Sequence, residues 1–343
     1  MTRGKAVIVG AGALGLGFLV ERLAPDYDLW LADVSANANI DTLRQIEADQ
    51  GFTVNRCSVQ NVQAHRVTAH LRLILTDTPE GRPQLDQALA EADLVLTATG
   101  RSVLDRVVAS IAPALNGRQR KVWLLFCENG LHIAASYAAS FGPQTVLVDT
   151  VMSRMCRFDQ PQENGFQPIG AGQRLALVIE DYAFLPLDAD LCGGGPFSPA
   201  FSLVPPPEFR LWEDIKLYLH NGMHAFIAYR AFLEGIQRFS HTPAWIRDQA
   251  RCVVEDEVVP AIVRTHARAD REEVEQYGLD LLERFFSPAF DDSVERGVRG
   301  LAEKLAPDER LVGGCAYIRR AGIEPQGYAG TIEAGRQILA RDA

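Results

Sequence analysis

Short apolar blocks alternate with amphipathic stretches along the first 150 residues. Residues 5–10 read KAVIVG, a β-branched run that suits a strand buried on both faces. Residues 14–23 carry apolar side chains at helical spacing, and residues 28–33 (DLWLAD) predict a second strand that ends in an acid. Residues 85–98 predict a helix running into another buried strand, DLVLTA from Asp93. A helix over 103–115 follows, then a strand over 121–126 (KVWLLF) that stops at Cys127-Glu128-Asn129-Gly130, and one more strand over 146–149. Strand alternating with helix predicts a parallel, doubly wound sheet.

The pattern changes over 186–207, where residues 193–195 are all glycine and residues 205–207 all proline. The domain junction is expected there, which divides the chain into 1–205 and 206–343. From 208 to about 306 the periodicity is helical throughout, and the charged stretch 268–275 reads as a solvated helix face. The expected fold class is therefore α/β: a doubly wound N-terminal sheet followed by a mostly α-helical C-terminal domain. A length of 343 residues also favours two domains over one.

Composition narrows the function classes. With 47% apolar and 23% charged residues the chain reads as globular. A net charge of −10 argues against a nucleic-acid partner, which needs a basic face. A small anionic substrate stays open, because a pocket needs only a few cations. The six cysteines, at 57, 127, 156, 192, 252 and 315, form no C-x-x-C pair, so scattered reduced thiols are expected. Arg3 and Lys5 ahead of an apolar run mimic a signal peptide, but glycine spacing explains that run better. No apolar span reaches 18 residues, so a cytoplasmic protein with no membrane partner is expected.

Gly10, Gly12 and Gly15 follow the first strand and open a helix, the context that a dinucleotide-phosphate loop requires. Gly10 permits the tight turn, Gly12 lets backbone approach a pyrophosphate at the helix N-terminus, and Gly15 allows helix to pack on strand. Asp33 lies 18 residues after Gly15 at the end of the next strand. A carboxylate there hydrogen-bonds a ribose 2′-hydroxyl and repels a 2′-phosphate, which favours NAD over NADP. A Rossmann-type domain is the expectation; a ligand-free glycine turn and a flavin site are the alternatives.

The second informative stretch is 216–224 (KLYLHNGMH). At 100° per residue from Lys216, Glu213 falls at about 60°, His220 at about 40°, His224 at about 80° and Asn221 at about 140°. Five polar groups thus share one side of an otherwise apolar helix. A solvated face with a capping Asn is one reading. Zinc on His220 and His224 is another, but a zincin motif needs Glu where Asn221 stands, and no third ligand is near in sequence; no metal is expected. The third reading is a lysine that moves a proton.

Lys216-x4-Asn221-x2-His224 resembles the signature of the polyol-specific long-chain dehydrogenases, the zinc-independent mannitol dehydrogenase family. The likeness runs over nearly the whole chain. The loop GAGALGLGF, with its extra Gly17-Phe18, is similar to that family's cofactor loop. Residues 92–100 (ADLVLTATG) resemble its AD-V-T-A-G strand, which puts Thr99 beside the cofactor. Cys127-Glu128-Asn129 resembles its Cys-Asp/Glu-Asn element, and Arg296-x7-Lys304-Leu305, followed by Asp308 to Leu311, its C-terminal segment.

The resemblance implies roles. Lys216 is the base in alcohol oxidation and the acid in carbonyl reduction. Asn129 and Asn221 hold the alkoxide. His224, Arg296 and Lys304 bind substrate hydroxyls or a phosphate, and Glu213 relays protons. A free lysine titrates near 10.4, so a base at neutral pH must be desolvated or set beside cations, as in a cleft between domains. Two departures concern the substrate. The family's Val-Asp-Arg is replaced by Met152-Ser153-Arg154, which puts a hydroxyl where a substrate-side carboxylate is usual, and the chain is shorter than the family norm.

The expected function is an NAD-dependent, metal-independent interconversion of a sugar alcohol, or its phosphate, with the ketose, for example mannitol 1-phosphate with fructose 6-phosphate. The alternatives are the same chemistry on a cyclitol, a uronate or a specialised-pathway sugar, which Ser153 favours, and a non-catalytic NAD-binding regulator. A monomer or homodimer is expected.

Overall fold

A computed structural model describes residues 3–161 and 165–342. The chain divides into two compact units. The first comprises Met1–Cys57 and Val62–Pro206; the second comprises Ser58–Asn61 and Pro207–Ala343. The main division falls at 206/207.

The first unit contains twelve strands among its described residues. These are β1 (Gly4–Val9), β2 (Tyr27–Asp33), β3 (Gly51–Cys57), β4 (Val62–Thr68), β5 (Leu71–Leu75), β6 (Leu94–Thr97), β7 (Val122–Phe126), β8 (Thr145–Asp149), β9 (Cys156–Asp159), β10 (Ala176–Glu180), β11 (Pro186–Asp188) and β12 (Ser202–Val204). Six of them form a sheet in the order β5-β2-β1-β6-β7-β8, with every pair parallel. Taking β5 as the third strand, this is the 3-2-1-4-5-6 order of a dinucleotide-binding sheet, with its switch point between β1 and β6. Alternation sorts the side chains onto two buried faces. Ala6, Ile8, Leu94 and Leu96 enter one core, while Val7, Val9, Val95 and Phe126 enter the other. Burial on both faces explains why these strands read as continuous apolar runs.

A second sheet, β4-β3-β10-β9, was not expected from the sequence pattern. The Gly/Pro-rich stretch 186–207 holds the parallel pair β11–β12 and belongs almost wholly to the first unit. It is anchored there by the Ser198 amide donating to the Tyr27 hydroxyl at 3.1 Å and by Trp123 Nε1 donating to the Leu191 carbonyl at 3.3 Å.

The second unit is helical among its described residues. One helical run comprises α1 (Pro206–Asp214), a π-helical turn (Ile215–Asn221) and α2 (Gly222–Leu233). After it come α3 (Ala244–Val253), a second π-turn (Val254–Val258), α4 (Val259–Thr265), α5 (Arg271–Phe285), α6 (Val294–Val298), α7 (Leu301–Lys304), α8 (Val312–Arg320) and α9 (Gln326–Asp342). α2 is the central helix: Met223, Ala225, Phe226, Ile227, Ala228, Tyr229 and Ala231 are all buried. α6 approaches it so closely that a Cβ on Gly297 would collide with that of Ala228. Among the described residues, no helix is long and apolar enough to cross a membrane.

Candidate active site

The glycine loop stands at the C-terminal end of β1, where the polypeptide turns into a π-helical segment, Gly15–Val20. Its three glycines do different work. Gly10 has φ +112°, and a Cβ there would strike the carbonyl of Ala98 in the loop after β6. Gly15 would strike the Gly10 carbonyl. Gly12 meets nothing within 4 Å, so the space over it is open. Two tight glycines and one open one make the cradle that a pyrophosphate needs at a helix N-terminus.

Asp33 closes the other side of this loop. Its Oδ2 accepts the Ala11 amide at 2.7 Å and the Asn37 side chain at 3.0 Å, and its Oδ1 accepts the Val34 amide at 2.7 Å. The carboxylate is thus set beside the phosphate loop, with lone pairs left for a ribose hydroxyl. The residues present fit an NAD molecule.

Thr99 lies in the loop after β6 and is held from below. Glu128, buried at the end of β7, accepts the Thr99 amide and the Gly100 amide, each at 2.8 Å, through its two oxygens. Burial raises its pKa, and the two amides pull it back. Sequence reasoning passed over Glu128, although it lies within the Cys-Glu-Asn element; the carboxylate ties the loops after β6 and β7 together. Its neighbour Asn129 is exposed. Ser153 is placed in the interior at 1% exposure, and its hydroxyl donates to the Phe184 carbonyl at 2.6 Å. A hydroxyl committed to backbone in the interior does not present a substrate-facing surface. Arg154 beside it donates to the Gly17 carbonyl at 3.0 Å and pairs with buried Glu21 at 2.8 Å, and Arg56 also pairs with Glu21. The helix that carries the glycine loop is thereby fixed to the segment after β8.

In the second unit, the 100° arithmetic fails in an informative way. Residues 215–221 close i→i+5 hydrogen bonds, not i→i+4. In an α-helix Asn221 would lie about 140° from Lys216; in a π-turn, residues five apart stand to each other as residues four apart do in an α-helix, neighbours on one face. The turn thus places Lys216 and Asn221 at neighbouring positions on one helix face. Lys216 is half-buried, Asn221 is buried, and half-buried Glu213 lies one residue inside the end of α1. π-turns are rare and recur at functional sites.

His220 points inward. It is buried, its Nδ1 has no hydrogen-bond partner, and its pKa falls well below the ordinary value, first by burial and then by the Lys216 charge. His224 lies a turn further on. Its ring stacks on Phe239 with centroids 4.7 Å apart, and its Nε2 is 3.1 Å from Oδ2 of Asp292. Arg296 Nη2 reaches the same oxygen at 3.1 Å. Lys304, at the end of α7, donates to the Gly297 carbonyl at 2.8 Å. Burial lowers its pKa to about 8, and Arg310, Arg296 and Arg299 push the same way. The structure therefore gathers His224, Arg296 and Lys304 into one region of the second unit, with the Asp292 carboxylate between the first two. Among the described residues, no group of three or more His, Cys, Asp or Glu side chains is arranged to hold a metal ion.

The mannitol dehydrogenase Rossmann domain matches residues 4–140, and the mannitol dehydrogenase C-terminal domain matches residues 208–332. The chain belongs to the mannitol dehydrogenase family. It is an NAD-dependent polyol dehydrogenase of that family. Curated relatives of this mannitol dehydrogenase-family chain include the mannitol-1-phosphate 5-dehydrogenase of Arthrobacter sp. (strain FB24), 28% identical over 96% of this chain and 85% of that protein. The enzyme of the same name from Emericella nidulans is 25% identical over 96% of this chain and 85% of its own length. Among solved structures, Pseudomonas fluorescens mannitol 2-dehydrogenase in complex with NAD and D-mannitol superposes with a TM-score of 0.75. That likeness covers 97% of this chain and 78% of the other at 14% identity, and so speaks for the shared fold. A D-sorbitol dehydrogenase superposes at 0.70 with 15% identity, over 98% of this chain and 80% of the other.

Proposed function

We propose that the chain interconverts a secondary alcohol of a sugar alcohol phosphate with the corresponding ketose, with mannitol 1-phosphate and fructose 6-phosphate as the first pair to test, and does so in the cytoplasm. The observation that carries the reading is the π-turn that puts Lys216 and Asn221 at neighbouring positions on one face, at the head of a buried helix. NAD, bound over Gly12 and beside Asp33, supplies the hydride chemistry. Lys216 takes the hydroxyl proton in oxidation and returns it in carbonyl reduction, and Glu213 passes that proton on. Asn221 donates its amide hydrogen to the developing alkoxide, which it stabilises without titrating. Asn129 supplies a further amide to the reaction.

Two facts support a phosphorylated substrate over a plain polyol. Lys304 has Arg296, Arg299 and Arg310 around it, so a dianion there relieves like-charge repulsion. The curated relatives named above carry a phosphate substrate in their names. The burial of Ser153 removes the feature that favoured a cyclitol, a uronate or another sugar.

The test is NADH oxidation with fructose, fructose 6-phosphate and tagaturonate, each repeated with NADPH. Fructose 6-phosphate with NADH is expected to give the highest kcat/KM. Faster turnover of an unphosphorylated ketose overturns the phosphate assignment, and no turnover of any ketose beside tight NADH binding favours a regulator.

A further inference from the structure

Two of the side chains proposed to bind substrate converge on a residue that the sequence did not single out. Asp292 precedes Ser293, whose hydroxyl caps α6 by accepting the Arg296 amide at 3.2 Å. The Asp292 side chain is 2% exposed. Its Oδ2 faces His224 Nε2 at 3.1 Å and Arg296 Nη2 at 3.1 Å, and its Oδ1 accepts the Ser293 amide at 2.9 Å.

A carboxylate is an acceptor only, so the hydrogen between Asp292 and His224 belongs to Nε2. A neutral imidazole then has a bare lone pair on Nδ1. His224 is held in that neutral form, since burial lowers its pKa and the charges of Arg296 and Lys304 act with burial against Asp292. The ring is also held in place. Phe239 stacks on it, Phe285 meets it edge-on with centroids 5.3 Å apart, and its Cε1 packs over Gly297. Nδ1 has no hydrogen-bond partner among the described residues, and the imidazole remains 15% exposed.

We propose that Asp292 is a positioning residue that fixes His224 as the Nε2–H tautomer, so that Nδ1 accepts a hydrogen bond from a substrate hydroxyl while Arg296, held by the same carboxylate, donates to a substrate oxygen. One buried acid thereby sets the direction of two hydrogen bonds. The His224 position reads an O–H and refuses a phosphate oxygen or a carbonyl, which have no hydrogen to give. The inference rests on the reading of His224 and Arg296 as substrate-binding groups.

Nitrogen-15 histidine NMR of the full-length enzyme tests the tautomer without any variant. His224 is expected as Nε2–H in the free enzyme at neutral pH, and an Nδ1–H signal overturns the proposal. Asp292→Asn replaces an acceptor with an amide that cannot serve all three donors. It is expected to lower kcat/KM for the polyol by about 10–100-fold, to populate the Nδ1–H tautomer and to leave NADH affinity unchanged. In a His224→Ala background the same change should cost clearly less than in the wild type; an equal cost overturns the coupling. Asp292→Glu, which keeps the charge, should recover part of the loss. If His224→Ala alone leaves kcat/KM at the wild-type level, the substrate-binding reading fails, whichever tautomer the spectrum shows.

Discussion

Glu21 in the first unit and Lys304 in the second are both charges withdrawn from water, and the protein treats them differently. Glu21 faces Arg154 and Arg56, so its charge is closed by two guanidinium groups. Glu128 is closed in the same way by two backbone amides. In each case the hydrogen bonds fix a backbone path under the glycine loop. Lys304 has three arginines around it and Glu309 as the opposing charge, and its pKa drops to about 8. His220 keeps an unpartnered Nδ1 in the interior. A charge that is fully paired builds shape, whereas one held among like charges stores free energy that an anionic ligand can release. On the proposed function, the first unit recognises its ligand by backbone form and the second by side-chain electrostatics.

Mutations of the two units should separate along this line. The largest effect belongs to Lys216→Ala, which is expected to lower kcat for alcohol oxidation by about 10²–10⁴ while leaving NADH affinity intact. A near-wild-type kcat would show that the π-turn is architectural, and His224 would then be the next base to test.

The glycine loop sharpens the contrast. Gly12→Ala adds a methyl group to open space, so the melting temperature should hold while the Kd for NADH rises about tenfold or more. Gly15→Ala should lower the melting temperature even without cofactor, because its methyl group meets the Gly10 carbonyl. Equal thermal losses in both variants would mean that the space over Gly12 is not a phosphate cradle.

Lys304 gives the side-chain counterpart. Its charge is present below pH 8 and disappears as the pH rises through about 8. The KM for a phosphorylated substrate should therefore climb above that pH, and Lys304→Arg, which keeps the charge, should flatten the climb. Lys304→Ala should raise KM about tenfold for the phosphorylated substrate and less for its unphosphorylated analogue. Stability moves in the opposite sense. An unfolded lysine titrates near 10.4, so between about 8 and about 10.4 the unfolded chain binds more protons, and this group's contribution to folding stability rises with pH across that window.

A smaller change is expected from Asp33→Ala. It removes an acceptor of the Ala11 amide and should narrow the preference for NADH over NADPH by a few-fold, measured as the ratio of their Kd values. Dialysis against a strong chelator should change nothing. Loss of activity with recovery on added zinc would contradict a lysine-based mechanism.

Local pattern was enough for β1, β2, β6, β7 and β8, because a strand buried on both faces announces itself as an apolar run. It also placed the glycine loop at a strand-to-helix turn and residues 216–224 in a helical run. β4 was silent, since all but one of its side chains are exposed and it exists through pairing with β3. β5, β9 and β10 were passed over as well, β10 despite being an apolar run buried throughout; partners elsewhere in the chain complete their ladders. The extra residue in the turn at 215–221 leaves no mark on the hydrophobic period, yet it decides which residues share a face with Lys216. Asp292 stands 68 residues from His224, and Glu128 stands 29 from Thr99. Periodicity and glycine spacing are local properties that the amino-acid order carries directly. The pairing of a buried carboxylate with distant donors follows only from how helices and loops pack, because its partners stand far away in sequence.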